Sequence, residues 1–243
     1  MTRSTHKPVR LSALAGALIA TLFAGALTAQ TGERRVEAAS AASWATAVEA
    51  RDHGHVFGNP DAESKLVEYM SYTCSHCAEF ARTGDAAIKL FLVPRGKVSF
   101  EIRHMLRDPI DLTAVLLTHC GAPENFLVNH TAIISRQQEW MAVARKASQA
   151  QRTRWNFGTN AARWRAIASD LGFYDIMEAR GYGRVELDRC LADQAKAQAL
   201  AETSARDVEA LKIPGTPSFV LDGKLLEGVH SWEALRPVIE KLD

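Results

Sequence analysis

The stretch Tyr72–Phe80, YTCSHCAEF, places two cysteines three residues apart with a histidine between them. A short apolar run, Leu66–Met70, comes just before it and lies between turn signals, which is typical of a buried strand. After Cys77, apolar residues recur at helical spacing until a proline and a glycine at residues 94–96 end the helix. These apolar residues are Phe80, Ile88, Phe91 and Leu92. The pattern therefore predicts that Cys74 and Cys77 lie where a strand ends and a helix begins.

A second strand follows this helix. In residues 98–103 apolar and polar side chains alternate, which is the period of a strand with one buried face. Strand, helix and strand in close succession form a βαβ unit, which favours parallel pairing through a right-handed crossover.

The rest of the chain is helical from residue 111 to about residue 183, and another long helix follows. Strand patterns return only in TPSFVLDG and KLLEGV, which Asp222-Gly223 joins as a hairpin turn. Ser231 is expected to cap a final helix. A helical block thus interrupts one α/β domain, with the domain's first part at residues 54–110, the block at 111–185 and the second part at 186–243. Residues 30–53, rich in Ala and Ser, are expected to be a flexible lead-in or a short helix.

The predicted position of the cysteine pair has chemical consequences. At a helix N-terminus, free backbone N–H groups and the helix dipole stabilise a thiolate at Cys74. Cys77 would lie one turn later on the same face, close enough to form a disulfide. His76 can add positive charge or a hydrogen-bond donor beside the sulfur. A thiol with a low pKa is a good leaving group, so such a disulfide is a strong oxidant.

The segment KLVEYMSYTCSHCAEF resembles the active-site segment of the DsbA family of thiol:disulfide oxidoreductases. Glu68, Tyr69, Ser71 and Tyr72 match the acid, aromatic, serine and aromatic that precede Cys-x-His-Cys in that family. The resemblance covers roughly residues 55–243. It implies an α/β, thioredoxin-like fold interrupted by an inserted all-helical domain, as in the pattern above.

The resemblance also implies a role for each matching residue. Cys74 would exchange with the substrate, Cys77 would be its resolving partner and His76 would tune the thiolate. Thr216 and Pro217 match the family's cis-proline element, which would offer backbone hydrogen bonds to an extended substrate. Glu68 matches a buried acid beneath the active site, which could relay protons.

Two departures from the family pattern bear on the type of reaction. Ser75 replaces the proline common in the strongest oxidases, and Thr216 replaces the valine often found before the cis-proline. Oxidation of clients is the favoured activity, and isomerase or reductase activity of the same fold is the alternative. Residues 30–53 are too short to supply the dimerisation domain that dimeric isomerases of the superfamily carry, so we expect a monomer.

A different class of function, metal binding or delivery through Cys74, Cys77 and His76, is the second alternative. A zinc site usually needs four ligands. The chain has no second Cys-x-x-Cys, and its other histidines are scattered along the sequence. We therefore expect neither a metal nor another cofactor.

The first 29 residues have the layout of a secretory signal. A basic start precedes the apolar run LSALAGALIATLFAGALTA, which contains small residues near its end. An uncleaved membrane anchor is the alternative, since the run is long enough to span a bilayer. Either way we expect export to the periplasm, with reduced exported proteins as clients and, by resemblance, a membrane disulfide oxidase as re-oxidant.

Charge is nearly balanced, with 29 basic and 28 acidic residues, so the chain as a whole lacks a nucleic-acid-binding signature. A basic stretch from Arg136 to Arg165 contains three tryptophans. In an exported protein we interpret it as a solvated helix face with core tryptophans, and contact with anionic lipid or a membrane partner is the alternative.

Cys120 and Cys190 lie on separate predicted helices. Two buried free thiols are one interpretation, because a free cysteine packs as a small apolar side chain. In an exported protein with an oxidising centre we expect them to form a structural disulfide, and some DsbA relatives carry a second disulfide in the helical domain.

Overall fold

The computed structural model describes residues 44–52 and 54–242. The predicted signal, residues 1–29, and most of the lead-in lie outside the described residues. Among the residues described, six strands form one sheet in the order β1-β2-β4-β3-β5-β6. The strands are β1 (Val48–Ala50), β2 (Gly54–Phe57), β3 (Ser64–Met70), β4 (Val98–His104), β5 (Ser218–Leu221) and β6 (Lys224–Leu225).

The predicted βαβ unit forms the centre of this sheet. β3 and β4 are parallel, with Leu66 opposite Phe100. The connecting helix begins as α1 (Ser75–Phe80) and continues through two wide π-helical turns, Ala81–Asp85 and Ile88–Leu92. A 3₁₀ turn at residues 93–95 ends it, and Gly96 follows in the left-handed conformation, with φ 73°. A glycine adopts this conformation without steric cost.

Helices fill the chain between β4 and β5, so the predicted fold class, a thioredoxin-like fold with an inserted helical domain, is confirmed. The first of these helices begins at Pro109, and the side chain of Asp108 caps its N-terminus. The helices are α2 (Pro109–Thr118), α3 (Phe126–Ile134), α4 (Gln137–Arg145), α5 (Gln149–Asn156), α6 (Asn160–Asp170), α7 (Phe173–Glu178), α8 (Arg184–Cys190) and α9 (Gln194–Leu211). After β6 comes α10 (Trp232–Ile239), which is capped by Ser231, and a 3₁₀ turn at residues 240–242 follows it.

Two elements differ from the sequence-based prediction. The segment expected to be a flexible lead-in contains β1 at residues 48–50, which pairs with β2. This strand is short and mostly exposed, so its sequence carries little hydrophobic signal. The long helix expected after residue 183 is instead two helices, because Asp193 starts a new one by accepting a hydrogen bond from Lys196 N at 2.9 Å.

Large apolar side chains from the sheet and the inserted helices form the main core, and Tyr69, Ile213 and Val220 form a second, smaller cluster. Trp140, Trp155 and Trp164 of the basic stretch are buried in the main core. Three of the neighbouring arginines form ion pairs, Arg136 with Glu139, Arg154 with Asp170 and Arg165 with Asp188. The stretch therefore has the arrangement of a solvated helix face with core tryptophans.

A disulfide joins Cys120, just after α2, to Cys190 at the end of α8, with their Cα atoms 5.7 Å apart. It closes a loop with a sequence separation of 70 residues among the helices between β4 and β5, residues 109–211, which we call the helical section. Within residues 44–52 and 54–242, no helix combines the length and apolar character needed to cross a membrane.

Candidate active site

Cys74 lies between the end of β3 and the start of α1, at the N-cap position of the helix. Its own N–H donates to the Ser71 carbonyl at 3.2 Å, and its carbonyl accepts the Ala78 N–H at 3.2 Å. Cys74 and Cys77 are both free thiols in this structure. The strand-to-helix transition thus places the first thiol among unpaired backbone N–H groups.

These surroundings lower the pKa of Cys74 to about 5. The largest contribution is a hydrogen bond with the Cys77 side chain, and burial opposes it. Hydrogen bonds from the Thr216 side chain and from the backbone N–H groups of Cys77 and His76 lower the pKa further. Cys74 is therefore ionised at neutral pH when the pair is reduced.

Cys77 has the opposite character. It is fully buried, and burial raises its pKa well above the usual value. The Ser71 N–H points at its sulfur at 3.5 Å. Reduced Cys77 is therefore protonated at neutral pH. Its thiol donates the hydrogen bond, and the Cys74 thiolate accepts it.

Although Cys74 is only 5% exposed, it lines an open cavity of about 480 Å³. The other residues around this cavity are Thr73, Ser75, His76, Met105, Arg107, Pro214, Gly215 and Thr216. An extended chain can therefore approach Cys74 between the start of α1 and the loop that precedes β5.

That loop brings Thr216 and Pro217 to the cysteine pair. Pairing of β5 with β3 places the loop beside the end of β3. The Thr216–Pro217 peptide bond is cis, and Cys74 Sγ lies 3.1 Å from the Thr216 carbonyl oxygen, which can accept a hydrogen bond from the protonated form of the thiol. The two sequence motifs, 142 residues apart, thus meet at the Cys74 sulfur.

Glu68 lies on β3 and is buried, with 2% of its surface exposed. Its pKa is raised well above the usual value, first by burial and then by the nearby negative charges of Asp85 and Cys74, while Lys89 lowers it. Glu68 in turn raises the pKa of Cys77. The structure therefore places a carboxyl group that can hold a proton in the electrostatic environment of both thiols.

His76 is exposed, and it contributes its backbone N–H to the lowering of the Cys74 pKa. A role for its imidazole stays a prediction.

Sequence reasoning missed Asp111, at the start of the helical section. Its carboxylate accepts hydrogen bonds from Ser71 Oγ at 2.6 Å and from the Tyr72 N–H at 2.8 Å. Asp111 is fully buried, and burial raises its pKa to about 7. No local pattern marks this residue, because its partners lie about 40 positions earlier in the chain.

A cluster of buried histidines was also missed, because its members are far apart in sequence. His104 Nε2 and His119 Nε2 lie 3.0 Å apart, and the His55 ring stacks on Phe126 with centroids 3.8 Å apart. Burial lowers the pKa of all three histidines. In the part of the chain that the structure describes, no group of three or more His, Cys, Asp or Glu residues is placed to hold a metal ion.

Comparison with known proteins places these features in context. The family model described as Thioredoxin matches residues 50–241. A crystal structure described as a protein-disulfide isomerase from Novosphingobium aromaticivorans is 44% identical, with a TM-score of 0.76. The match covers 80% of this chain and 100% of that one.

Two further relatives are more distant. Alpha-DsbA1 of Wolbachia pipientis shares the fold, with 22% identity and a TM-score of 0.61 over 77% of this chain and 89% of that one. A protein of Rickettsia bellii named "Putative protein-disulfide oxidoreductase" is 26% identical over 187 residues, which is 76% of this chain and 63% of that protein. The chain spans only 54% to 63% of the length of this and two other Rickettsia relatives.

Proposed function

The chain belongs to the thioredoxin family, and we propose that it is a DsbA-like thiol:disulfide oxidoreductase that introduces disulfides into exported proteins. The observation that carries the proposal is the unequal state of the two thiols, with the Cys74 pKa at about 5 and the Cys77 pKa raised. Because the Cys74 thiolate is stable, the reduced pair is favoured over its disulfide, and the disulfide is a strong oxidant.

The reaction begins with the Cys74–Cys77 disulfide. A client thiolate attacks Cys74 Sγ, a bond forms between the two sulfurs, and Cys77 leaves as a thiolate. Cys77 then takes up a proton, which its raised pKa favours. A protonated Glu68 is a suitable source of that proton. A second client thiolate attacks the client sulfur of the mixed disulfide and releases Cys74 as a thiolate. The client loses two electrons, and the cysteine pair gains them.

Thr216 supports substrate binding. Its carbonyl oxygen lies 3.1 Å from Cys74 Sγ. In the mixed disulfide the same loop can offer its backbone to an extended client segment, which is how a chain adds along an exposed strand edge. We propose that Thr216 and Pro217 present this edge.

Isomerase activity is the second candidate, because the relative with 44% identity is described as a protein-disulfide isomerase. The low pKa of Cys74 favours oxidase activity over isomerase activity. Location in the periplasm, with a membrane disulfide oxidase as re-oxidant, completes the proposed reaction cycle.

A redox titration in glutathione buffers tests the proposal, with mass spectrometry to identify the paired cysteines. An oxidase is expected to have a potential nearer about −120 mV than about −270 mV, and to oxidise a reduced, unfolded client. With a client that contains a disulfide, Cys77→Ser should trap a mixed disulfide, because the Cys74 thiolate attacks the client disulfide, one client thiolate leaves, and no Cys77 thiol remains to release the client. A potential near the lower value would instead indicate a reductase or isomerase. Metal that stays bound in stoichiometric amount and is lost in Cys74→Ser would favour a metal-binding protein.

A further inference from the structure

Gln137 connects the helical section to the loop that carries the reactive cysteine. It is the first residue of α4 and is buried, with 4% of its surface exposed. Its Nε2 donates to the carbonyl oxygens of Tyr72 and Cys74, both at 2.7 Å. A primary amide nitrogen has two protons, so both serve this loop.

The hydrogen bond to Cys74 acts at the start of α1. The Cys74 carbonyl also accepts the Ala78 N–H, which is the first hydrogen bond of the helix. A donor fixed on this carbonyl restrains the peptide that links Cys74 to Ser75. The orientation of that peptide determines whether the following N–H groups of His76 and Cys77 face the Cys74 sulfur.

The other end of the loop is also held by the helical section. The Tyr72 N–H donates to Asp111 and the Tyr72 carbonyl accepts from Gln137. Both polar backbone groups of Tyr72 are thus bound by side chains of the helical section. Burial excludes water that could replace either partner. Loss of the Gln137 amide therefore removes the side-chain donor of the buried Tyr72 carbonyl and leaves the Cys74 carbonyl with the Ala78 N–H, and losing a buried hydrogen bond is costly.

We propose that Gln137 is a positioning residue for Cys74, which holds the start of α1 so that the backbone N–H groups face the thiolate. Through this residue the helical section controls the oxidising strength of the cysteine pair. The inference rests on the proposed function and adds a residue that does not contact the reacting sulfur atoms.

Gln137→Met tests the inference, because it keeps the side-chain length and removes both donors. Thiolate absorbance against pH gives the pKa of Cys74, and equilibration with glutathione gives the oxidising strength. We expect the titration midpoint to rise by at least about one unit, and the reduced pair to lose about tenfold in stability for each unit. Gln138→Met, on the same helix but exposed, is the matched control and should leave both values unchanged.

A second variant separates the loss of the hydrogen bonds from a general loss of folding. Gln137→Asn keeps the amide but is one methylene shorter, so it cannot reach both carbonyls, and its midpoint should lie between those of wild type and Gln137→Met. Urea unfolding of both redox forms separates a positioning role from a purely structural one. Positioning predicts a larger stability loss in the reduced form. An equal loss in both forms with an unchanged midpoint would overturn the inference.

Client oxidation by the wild type is measured first, so that failure of the proposed function can be distinguished from failure of the inference about Gln137. If wild type oxidises a reduced client and folded Gln137→Met has the wild-type midpoint, the inference is wrong and the proposed function stands. If wild type does not oxidise the client and its Cys74 titrates in the ordinary range, the proposed function is wrong, and with it the inference.

Discussion

At the scale of single residues, the chemistry of the site depends on which of its two cysteines is stable as a thiolate. Cys74 and Cys77 are chemically identical, yet one lies at a helix N-terminus beside a cavity and the other is inside the core. A hydrogen bond from the Cys77 side chain, together with backbone N–H groups, stabilises the thiolate of the first, and desolvation opposes ionisation of the second. The proposed direction of exchange, attack at Cys74 and release of Cys77, follows from access, because Cys74 borders the cavity and Cys77 is fully buried.

Asp111 gives a prediction at this scale. Its folded-state pKa is raised from 3.8 to about 7, so the stability that its protonated form contributes is fully present below about pH 4 and is lost as pH rises through 7. Relative to Asp111→Asn, wild type should lose about 4 kcal/mol of unfolding free energy between pH 4 and pH 7. Urea unfolding at four or five pH values measures this difference.

Asp61→Asn is the control for Asp111→Asn, because Asp61 is exposed. The unfolding free energy of Asp61→Asn should have the same pH dependence as that of wild type throughout. If the unfolding free energy of Asp111→Asn also has the wild-type pH dependence, the Asp111 pKa is not raised.

At the scale of elements, the active-site helix is held in an irregular form by close packing. A Cβ atom at Gly84, in the first π-helical turn, would lie 2.4 Å from the Phe80 ring. Phe80 is itself fixed against Phe219, with ring centroids 4.6 Å apart. The widened turn therefore depends on a residue without a side chain.

Gly84→Ala is expected to destabilise the protein by about 1–3 kcal/mol, because the added methyl group overpacks a rigid aromatic contact. Chemical denaturation of the oxidised form measures the loss. The matched control is Gly183→Ala, where a Cβ atom would have nothing within 4 Å. Equal stability of Gly84→Ala and wild type would show that the helix can relax around the methyl group.

The Cys120–Cys190 disulfide is the second element with a measurable effect. It closes a loop with a separation of 70 residues, and loop-closure entropy assigns such a bond about 4 kcal/mol. We expect the double variant Cys120→Ala/Cys190→Ala to lose about 2–4 kcal/mol of unfolding free energy. Both proteins are compared with Cys74–Cys77 oxidised, so that only the structural bond differs.

The glutathione equilibrium of Cys74–Cys77 should be the same with and without this structural disulfide. A loss below about 1 kcal/mol would contradict the predicted stabilisation, since loop closure is its main source.

At the scale of the whole molecule, folding and redox state are thermodynamically linked. The folded-state pKa of Cys74 is lowered from 9.0 to about 5. The stability that its thiolate gives the reduced form is therefore fully present above about pH 9 and is lost as pH falls through 5. The oxidised form has no thiol at this position and lacks this dependence.

We therefore predict that the stability of the reduced form relative to the oxidised form rises between pH 5 and pH 9. The rise should be a few kcal/mol, less than the ~5 kcal/mol of the full shift, because solvent in the open cavity screens the charge. Urea unfolding of both redox forms at pH 4, 5, 7 and 8 measures it. The unfolding free energy of Cys74→Ser, taken relative to that of oxidised wild type, should not rise across this range. A rise as large as that of reduced wild type would contradict the assignment to Cys74.

Much of this architecture could be predicted from local patterns. The apolar run before Cys74 and the alternation in residues 98–103 predicted the two parallel strands, because burial of one strand or one face leaves a direct record in the sequence. The split of the long helix at Asp193 and the short strand β1 were not predicted. A single capping residue and a mostly exposed strand change the hydrophobic pattern very little.

The sequence by itself determined the position of the cysteine pair at a helix start and the family to which the motifs belong, since both depend on residues adjacent in the chain. Only the tertiary structure brought Asp111 and Gln137 to the active-site loop and gathered the buried histidines. These contacts join segments that are far apart in sequence, and their energies depend on burial. No periodicity or spacing records such contacts, because desolvation exists only once the chain has folded.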